Sequence, residues 1–341
     1  MDGVPYAFCE AVCATLLENK FSELGELSGQ YGDITRRWYP NMAYYVSAVE
    51  DGMEKLGYLR YFLSTQELRT IREIEDVPKK FITTVLINLR DGEEENVCRE
   101  IVKRFPYSSC QFWLLSSSIN EAWVDFACSL KRLDSVAITK KLDDNSISLF
   151  KKLVDGHKLF WLPMCEKACE GGMLDALKIL LCQDQFAHLK IRNDREGPWK
   201  STVVGDLLQF WSENGEKVRG KRLTLEKNCE GGVNQLEKFV LERAEINGRN
   251  VQTIQEVLTR CSKEECDFLD KYYRQHNYLF NTPSCVYKFE EGEGDDRQRL
   301  YISFDCKHGK NRTTERQYAS HEGVDDFSLI RGTNSFHVFF G

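Results

Sequence analysis

The sequence predicts an α+β protein in three parts, on three observations. Apolar residues near the N-terminus recur at three- and four-residue steps, the mark of short amphipathic helices. After residue 56, short β-rich runs alternate with polar or helical stretches. Near the C-terminus an acidic, glycine-bearing link joins two β-rich segments in the manner of a hairpin. Together these place a small helical bundle at 1–56, a mixed sheet-and-helix region at 57–245, and a helix followed by antiparallel strands at 246–341.

The bundle is read from its N-terminus. Pro5 suits the first turn of a helix because its missing N–H is needed by no partner there. Phe8, Cys9, Val12, Cys13, Leu16 and Leu17 then keep a helical period, and Asn19-Lys20 breaks it. Phe21, Leu24 and Leu27 mark a second short helix, interrupted by Gly29 and Gly32, with Tyr31 and Trp38 following as bulky anchors. Tyr45, Val49, Met53 and Leu56 predict a third helix. So few residues bury little surface alone, and such a unit leans on a neighbour or a partner.

In the middle region the β-rich runs are 83–88, 111–115, 136–139, 159–162, 177–181, 188–191 and 222–225. Leu174, Leu177, Ile179 and Cys182 fit the leucine-rich-repeat template, and Leu223, Leu225 and Asn228 fill part of it again, with Gly220 where a leucine belongs. The steps from Trp113 to Val136 to Phe160 fall inside the roughly 20–29 residues of such repeats, and later steps are irregular. A degenerate leucine-rich-repeat-like array and an ordinary α+β domain both follow from this pattern. The array adds one strand-lined face open to a protein partner. A shared Cys-Glu-Gly-Gly string, beginning at Cys169 and at Cys229, reads as two turns and echoes an internal repeat.

In the last part, Ile254, Val257, Leu258, Cys261, Phe268 and Leu269 hold a helical period over 251–276. Strands at 285–289 and 299–304 flank the acidic link 290–296, which reads as a solvated turn. Phe336, Val338 and Phe340 alternate as a final strand that pairs back into this sheet.

Composition narrows the class. Forty-two per cent hydrophobic and 29% charged residues exclude a disordered chain or a small disulfide-stapled peptide. A net charge of −7 gives no global basic footprint, so nucleic acid is not an expected partner. No apolar run nears the roughly 20 residues of a membrane span. Asp2 stands where a secretory leader would be basic, so the 13 cysteines read as small hydrophobes in a reducing compartment, cytoplasmic or nuclear rather than secreted.

From Val4-Pro5 onward the N-terminal unit resembles an F-box. Phe8, Val12 and Leu16 match its first apolar face, Phe21 and Leu24 the aliphatic places of its second helix, and Leu27-Ser28 its Val-Cys-type pair. Val4 replaces Leu, Tyr31 replaces Trp, and glycines stand at 25, 29 and 32, with Trp38 a candidate for the missing Trp. The resemblance implies docking to a Skp-family adaptor protein, and through it to a cullin ubiquitin ligase, by Pro5, Phe8, Val12, Leu16, Leu24 and Leu27. The opposing reading packs this patch on the protein's own downstream domain. The whole chain, from Val4-Pro5-Tyr6 to Phe336-His337-Val338-Phe339-Phe340, also resembles the nematode F-box-type families, in which the later region is a target-recruiting domain.

One catalytic motif stands out. Residues Cys306 to Thr313 fit C-x-x-G-x-x-R-[ST], the phosphate loop of cysteine-dependent phosphatases, with Cys306 as thiolate nucleophile and Arg312 cradling the dianion. Against it, Asp305 stands where His is usual and would raise the thiol pKa. Thr314 replaces a Gly, the chain left after Arg312 is short, and no Trp-Pro-Asp-like acid loop lies upstream. A basic turn beside a buried cysteine explains the match more simply.

The pairs Cys165/Cys169, Cys261/Cys266 and Cys306/His308 lack the second pair of a zinc set, and no nucleotide or dinucleotide fingerprint occurs, so no metal or cofactor is expected. Three functions follow: a non-enzymatic ubiquitin-ligase adaptor that holds an unidentified protein substrate, a phosphatase-like domain using Cys306 and Arg312, or a non-catalytic interaction scaffold.

Overall fold

The computed structural model describes residues 4–13, 24–64, 66–91, 95–193, 199–273, 278–292, 294, 297–306 and 316–341. It is α+β, and it divides into two compact units, Met1–Asp134 and Ser135–Gly341. Among the described residues no helix is long and apolar enough to cross a membrane.

The first unit opens with helices α1 (Tyr6–Cys13) and α2 (Gln30–Trp38). Strands β1 (Ala43–Glu50), β2 (Met53–Tyr61) and β3 (Glu67–Leu68) follow, then α3 (Ile71–Asp76), β4 (Ile82–Leu89), α4 (Glu95–Arg104), β5 (Ser109–Leu114) and α5 (Glu121–Ser129). The strand order is β5-β4-β1-β2-β3, with β5, β4 and β1 parallel and the β1–β2–β3 meander antiparallel.

Two expectations are corrected here. The segment Tyr45 to Leu56 is not a third helix but the β1–β2 hairpin. Asp51 and Gly52 both have positive φ (51° and 69°), the demand of a tight hairpin turn that an Asp-Gly pair meets. The β-branched and aromatic run of β1 then outweighs the accidental four-residue spacing. A helix instead occupies Gln30–Trp38, where Gly32, Ile34, Thr35 and Trp38 turn inward at helical steps. The expected edge at residue 56 falls inside β2.

Alternation along β4 buries Val85, Ile87 and Leu89. Phe112 of β5 packs edge-on against Trp123 of α5, with ring centroids 5.4 Å apart. At one end of this core Glu54 of β2 accepts hydrogen bonds from Tyr45 (2.6 Å), Ser47 (2.8 Å) and Arg104 of α4 (2.6 Å), satisfying a carboxylate at the core's edge.

The second unit begins with a run of strand–helix pairs. These are β6 (Leu133–Ile138), which starts at the boundary, α6 (Asp144–Asp155), β7 (Trp161–Cys165), α7 (Gly172–Leu181), β8 (His188–Arg192), α8 (Val203–Val218), β9 (Arg222–Glu226) and α9 (Glu230–Ile246). Strands β6 to β9 are parallel neighbours in chain order. Right-handed crossovers advancing in one direction place their helices on one face, and α6, α7, α8 and α9 pack each on the next. Leu162, Met164, Leu189, Ile191, Leu223 and Leu225 face those helices and are buried.

The leucine-rich template is misplaced at its first match: Leu174, Leu177 and Ile179 lie in α7, so 177–181 is helix, not strand. At the second match Leu223 and Leu225 do lie on β9, and Asn228 follows in a left-handed turn (φ 41°). Both Cys-Glu-Gly-Gly strings lead into helices, α7 and α9. Gly232 brings α9 close to β9: a Cβ there would fall 2.5 Å from Leu225 Cδ1, so that side chain would have to shift.

Beyond α9 the predicted helix over 251–276 is interrupted by β10 (Thr259–Arg260) before α10 (Lys263–Tyr273). A short pair, β11 (Leu279–Phe280) and β14 (Gln317–Tyr318), stands apart. Strands β12 (Tyr287–Glu291), β13 (Gln298–Phe304) and β15 (Ser335–Phe340) continue the sheet antiparallel in the order β9-β15-β13-β12-β10, so the hairpin and the returning C-terminal strand form as the alternation predicts. Against this extension's other face α10 packs Cys266 and Leu269 onto Tyr301 and Phe339. Tyr278 donates to Glu226 (2.6 Å), which also pairs with Lys190 (2.8 Å).

That pairing carries a pH prediction. Burial pushes the Glu226 carboxyl up, but the hydrogen bonds from Lys190 and Tyr278 outweigh it and leave its pKa below the ordinary 4.5. A depressed carboxyl contributes stability above its unfolded pKa and loses it as pH falls through the folded value. Glu226→Gln is expected to flatten the acid limb of a chemical-denaturation series between pH 7 and pH 3, compared with wild type.

Candidate partner-binding surface

The α1–α2 pair is built around inward-facing residues of modest size. Cys9 and Cys13 of α1 meet Ile34 and Trp38 of α2, with Met42 beyond, in one buried cluster. Trp38 also packs edge-on against Phe81 at 5.9 Å, and Lys80 lies over its ring while pairing with Glu10 of α1 at 3.2 Å. Because the cysteines take the inner side of α1, its larger apolar residues fall on the outer side.

There the structure places most of the residues singled out in the sequence. Pro5 is exposed, Phe8 is 56% exposed, and Leu27 is 50% exposed. Val12 and Leu24 are half-buried. Leu16 lies outside the described residues. None of the five described candidates is fully buried. Tyr6, which sequence reasoning passed over, adds a 39%-exposed ring whose hydroxyl accepts from Arg37 at 3.1 Å.

The loop that presents Leu27 is held, not loose. Arg36 donates to the carbonyls of Gly25 (2.5 Å) and Leu27 (3.1 Å) and pairs with Asp33 (2.5 Å). Gly32 lets the loop lie directly on α2: a Cβ there would sit 1.8 Å from the Leu27 carbonyl oxygen. The obstacle is backbone, which cannot rotate aside. Gly32→Ala is therefore expected to displace the Leu27 loop and to cost about 1–3 kcal/mol, the usual penalty of overpacking, read as a lowered urea midpoint. Beside the end of α2 a groove of about 430 Å3 opens between Tyr61, Leu68, Asp76 and Phe81.

The phosphatase-like candidate fares differently. Cys306 follows β13 and is buried, while Arg312 and the rest of the loop lie outside the described residues. Burial, then the carboxylates of Asp305 and Asp326, push the Cys306 thiol up to about 12. Asp305 is committed to structure, accepting from the backbone N–H of Asn281 (3.2 Å) and Thr282 (3.1 Å) and from the Asn281 side chain (3.0 Å). A nucleophilic cysteine needs the opposite field. The chain is expected to show no turnover of para-nitrophenyl phosphate at pH 5–8, with Cys306→Ser indistinguishable from wild type; turnover lost in that variant would reverse this.

No disulfide joins any of the 13 cysteines, and all but Cys128 and Cys182 are buried. Among the described residues no three His, Cys, Asp or Glu side chains gather as metal ligands do. No protein-family model matches the chain, and no curated protein matches it either.

Proposed function

We propose that this chain is a substrate-recruiting adaptor of a Skp/cullin-type ubiquitin ligase, working in the cytoplasm or nucleus. Its N-terminal surface of Pro5, Phe8, Val12, Leu16, Leu24 and Leu27 docks a Skp-family protein. The observation that carries this reading is the orientation of α1: Cys9 and Cys13 go inward while Phe8 stays at the surface. Large apolar side chains left exposed in this part of the chain, Phe8 and Leu27 above all, favour an interface. That α2 follows the Leu27 loop as a further helix is in keeping with an F-box-like unit, although the sequence pointed to a later segment.

The second unit serves as the target-recruiting part. Among the described residues its parallel strands carry α6 to α9 on one face, and on the other Trp161, Pro163, Lys190 and Arg192 keep some exposure that a protein could meet. The mechanism is proximity: holding ligase and target on one chain raises their effective concentration without chemistry by this protein. The test is co-expression with a Skp-family adaptor followed by size-exclusion chromatography. A shared peak at the mass of a complex is expected. Separate elution of two folded proteins would show that the surface has another use, as in an interaction scaffold.

A further inference from the structure

The groove beside the end of α2 lies wholly within the first unit and holds about 430 Å3, inside the range of about 300–1,000 Å3 that ligand sites span. Its walls come from three places: Tyr61 at the end of β2 with Leu68 of β3, Glu73 and Asp76 of α3, and Pro78 and Phe81 of the segment leading into β4. These walls are accessible. Glu73, Asp76 and Pro78 are exposed, and Tyr61, Leu68 and Phe81 are half-buried.

The lining is electrostatically one-sided: its charged groups are two carboxylates, and no lysine or arginine lines it. One oxygen of Glu73 caps α3, accepting from the Thr70 N–H (3.2 Å) and hydroxyl (2.6 Å). Those hydrogen bonds hold its carboxyl below the ordinary carboxylate value, so it keeps its charge. Asp76 has no hydrogen bond or ion pair among the described residues, and neither the ring nor the hydroxyl of Tyr61 has a partner there. Nearby cations are engaged elsewhere: Lys79 donates to the Ile74 carbonyl (3.1 Å), Lys80 pairs with Glu10 (3.2 Å), and Arg69 pairs with Glu67 (2.6 Å). Arg72, one turn before Asp76, makes no ion pair with it and does not line the groove. Asp76 is also ill-placed for its own helix, because a carboxylate in the last turn opposes the partial negative charge at a helix C-terminus. A cation brought from outside satisfies it. Phe81 already meets Trp38 and Lys80, so Tyr61 is the ring left for a ligand.

We propose that this groove docks an arginine-bearing segment of a partner protein, with the guanidinium paired to Asp76 and stacked on Tyr61 and the aliphatic stem lying on Leu68 and Pro78. Charge complementarity names the occupant. Arginine suits the site better than lysine, because a planar guanidinium forks onto a carboxylate and stacks on an aromatic face, whereas an ammonium is a compact, strongly hydrated charge. A protein segment suits it better than a small cation, because large apolar side chains continue on the same elements. Leu63, just past β2, is 53% exposed, and Ile71, at the start of α3, is 73% exposed. The inference stands apart from the adaptor reading, since no residue of the groove belongs to the surface of Pro5, Phe8 and Leu27.

The experiment uses the full chain and a fluorescein-labelled Ala-Arg-Ala-Arg-Ala-Arg peptide, read by fluorescence anisotropy at about 150 mM salt, where fields are screened beyond about 8 Å. Saturable binding is expected, about fivefold or more weaker for the lysine counterpart and absent for the glutamate counterpart. Asp76→Asn is expected to weaken binding about tenfold, the weight of one charge-assisted hydrogen bond, and Tyr61→Leu about threefold. Asp76→Asn should leave the urea midpoint in place, because Asp76 is exposed and holds no other group. Glu242→Gln, which removes the same charge from α9, should bind as wild type does. Absence of binding by wild type, equal binding by Asp76→Asn, an equal loss in Glu242→Gln, or equal affinity for the lysine peptide would each overturn the proposal. So would displacement by arginine amide as effective as by unlabelled peptide, which would mark a small-cation site.

The same proteins distinguish the two readings. Peptide binding without a Skp-family complex leaves the groove standing and removes the adaptor reading. A complex without peptide binding removes the groove alone.

Discussion

Phe8→Asp is expected to abolish the complex with a Skp-family adaptor while leaving the chain folded. Phe8 is 56% exposed on the outer side of α1, so a carboxylate there is solvated in the free protein and costs little. Substitutions at such surface positions stay within about 0.5 kcal/mol of wild type. In the proposed complex the same carboxylate would lie in an apolar interface without a partner, and loss of a central aromatic anchor alone removes about 2 kcal/mol or more, roughly thirtyfold in affinity. The measurement is paired: a titration of adaptor into each protein, and urea unfolding of each alone. An unchanged unfolding midpoint with lost binding is the expected pattern. Equal binding would place the interface elsewhere.

Trp38→Ala should do the reverse at its source. Trp38 is buried between Cys9, Cys13 and Ile34 on one side and Phe81 on the other. Removing it takes away apolar burial and leaves a cavity, for which a loss of about 3–5 kcal/mol of stability is the usual result. The α1–α2 pair has no comparable second pillar among its described residues, so the loss falls on that pair. Binding is then lost through disorder of the presenting surface. Unfolding curves separate the two variants: a lowered midpoint for Trp38→Ala, none for Phe8→Asp.

The comparison of these two residues also shows what the sequence could disclose. Phe8 and Val12 were identified by spacing, and spacing was enough to say that one side of α1 is apolar. It could not say which side faces out, because Cys9 and Cys13 keep the same period and cysteine buries as readily as an aliphatic residue. The structure decides it by seating both cysteines against Ile34 and Trp38. The α2 helix was obscured by Gly29 and Gly32, residues that ordinarily end helices. Gly32 is there because the Leu27 carbonyl lies where its side chain would be, a tertiary demand invisible in local propensity.

In the second unit, β8 and β9 were legible because their alternation is regular, and β15 for the same reason. Leu174 to Cys182 was not, since its leucines satisfy a strand template and a helix at once. Length decides between them: the run from Gly172 to Leu181 is too long for a short buried strand and sits behind a glycine turn. The row of Trp161, His188 and Arg222 could not be read from spacing, because the three come from separate strands. Register alone brings them together.

Hydrogen–deuterium exchange of the full chain, with and without a Skp-family adaptor, tests the central claim most directly. The account predicts that protection gained on adding the adaptor concentrates in 5–13 and 24–27, with the second unit unchanged. Protection confined to the second unit, or no protection while the chain remains folded, would contradict it.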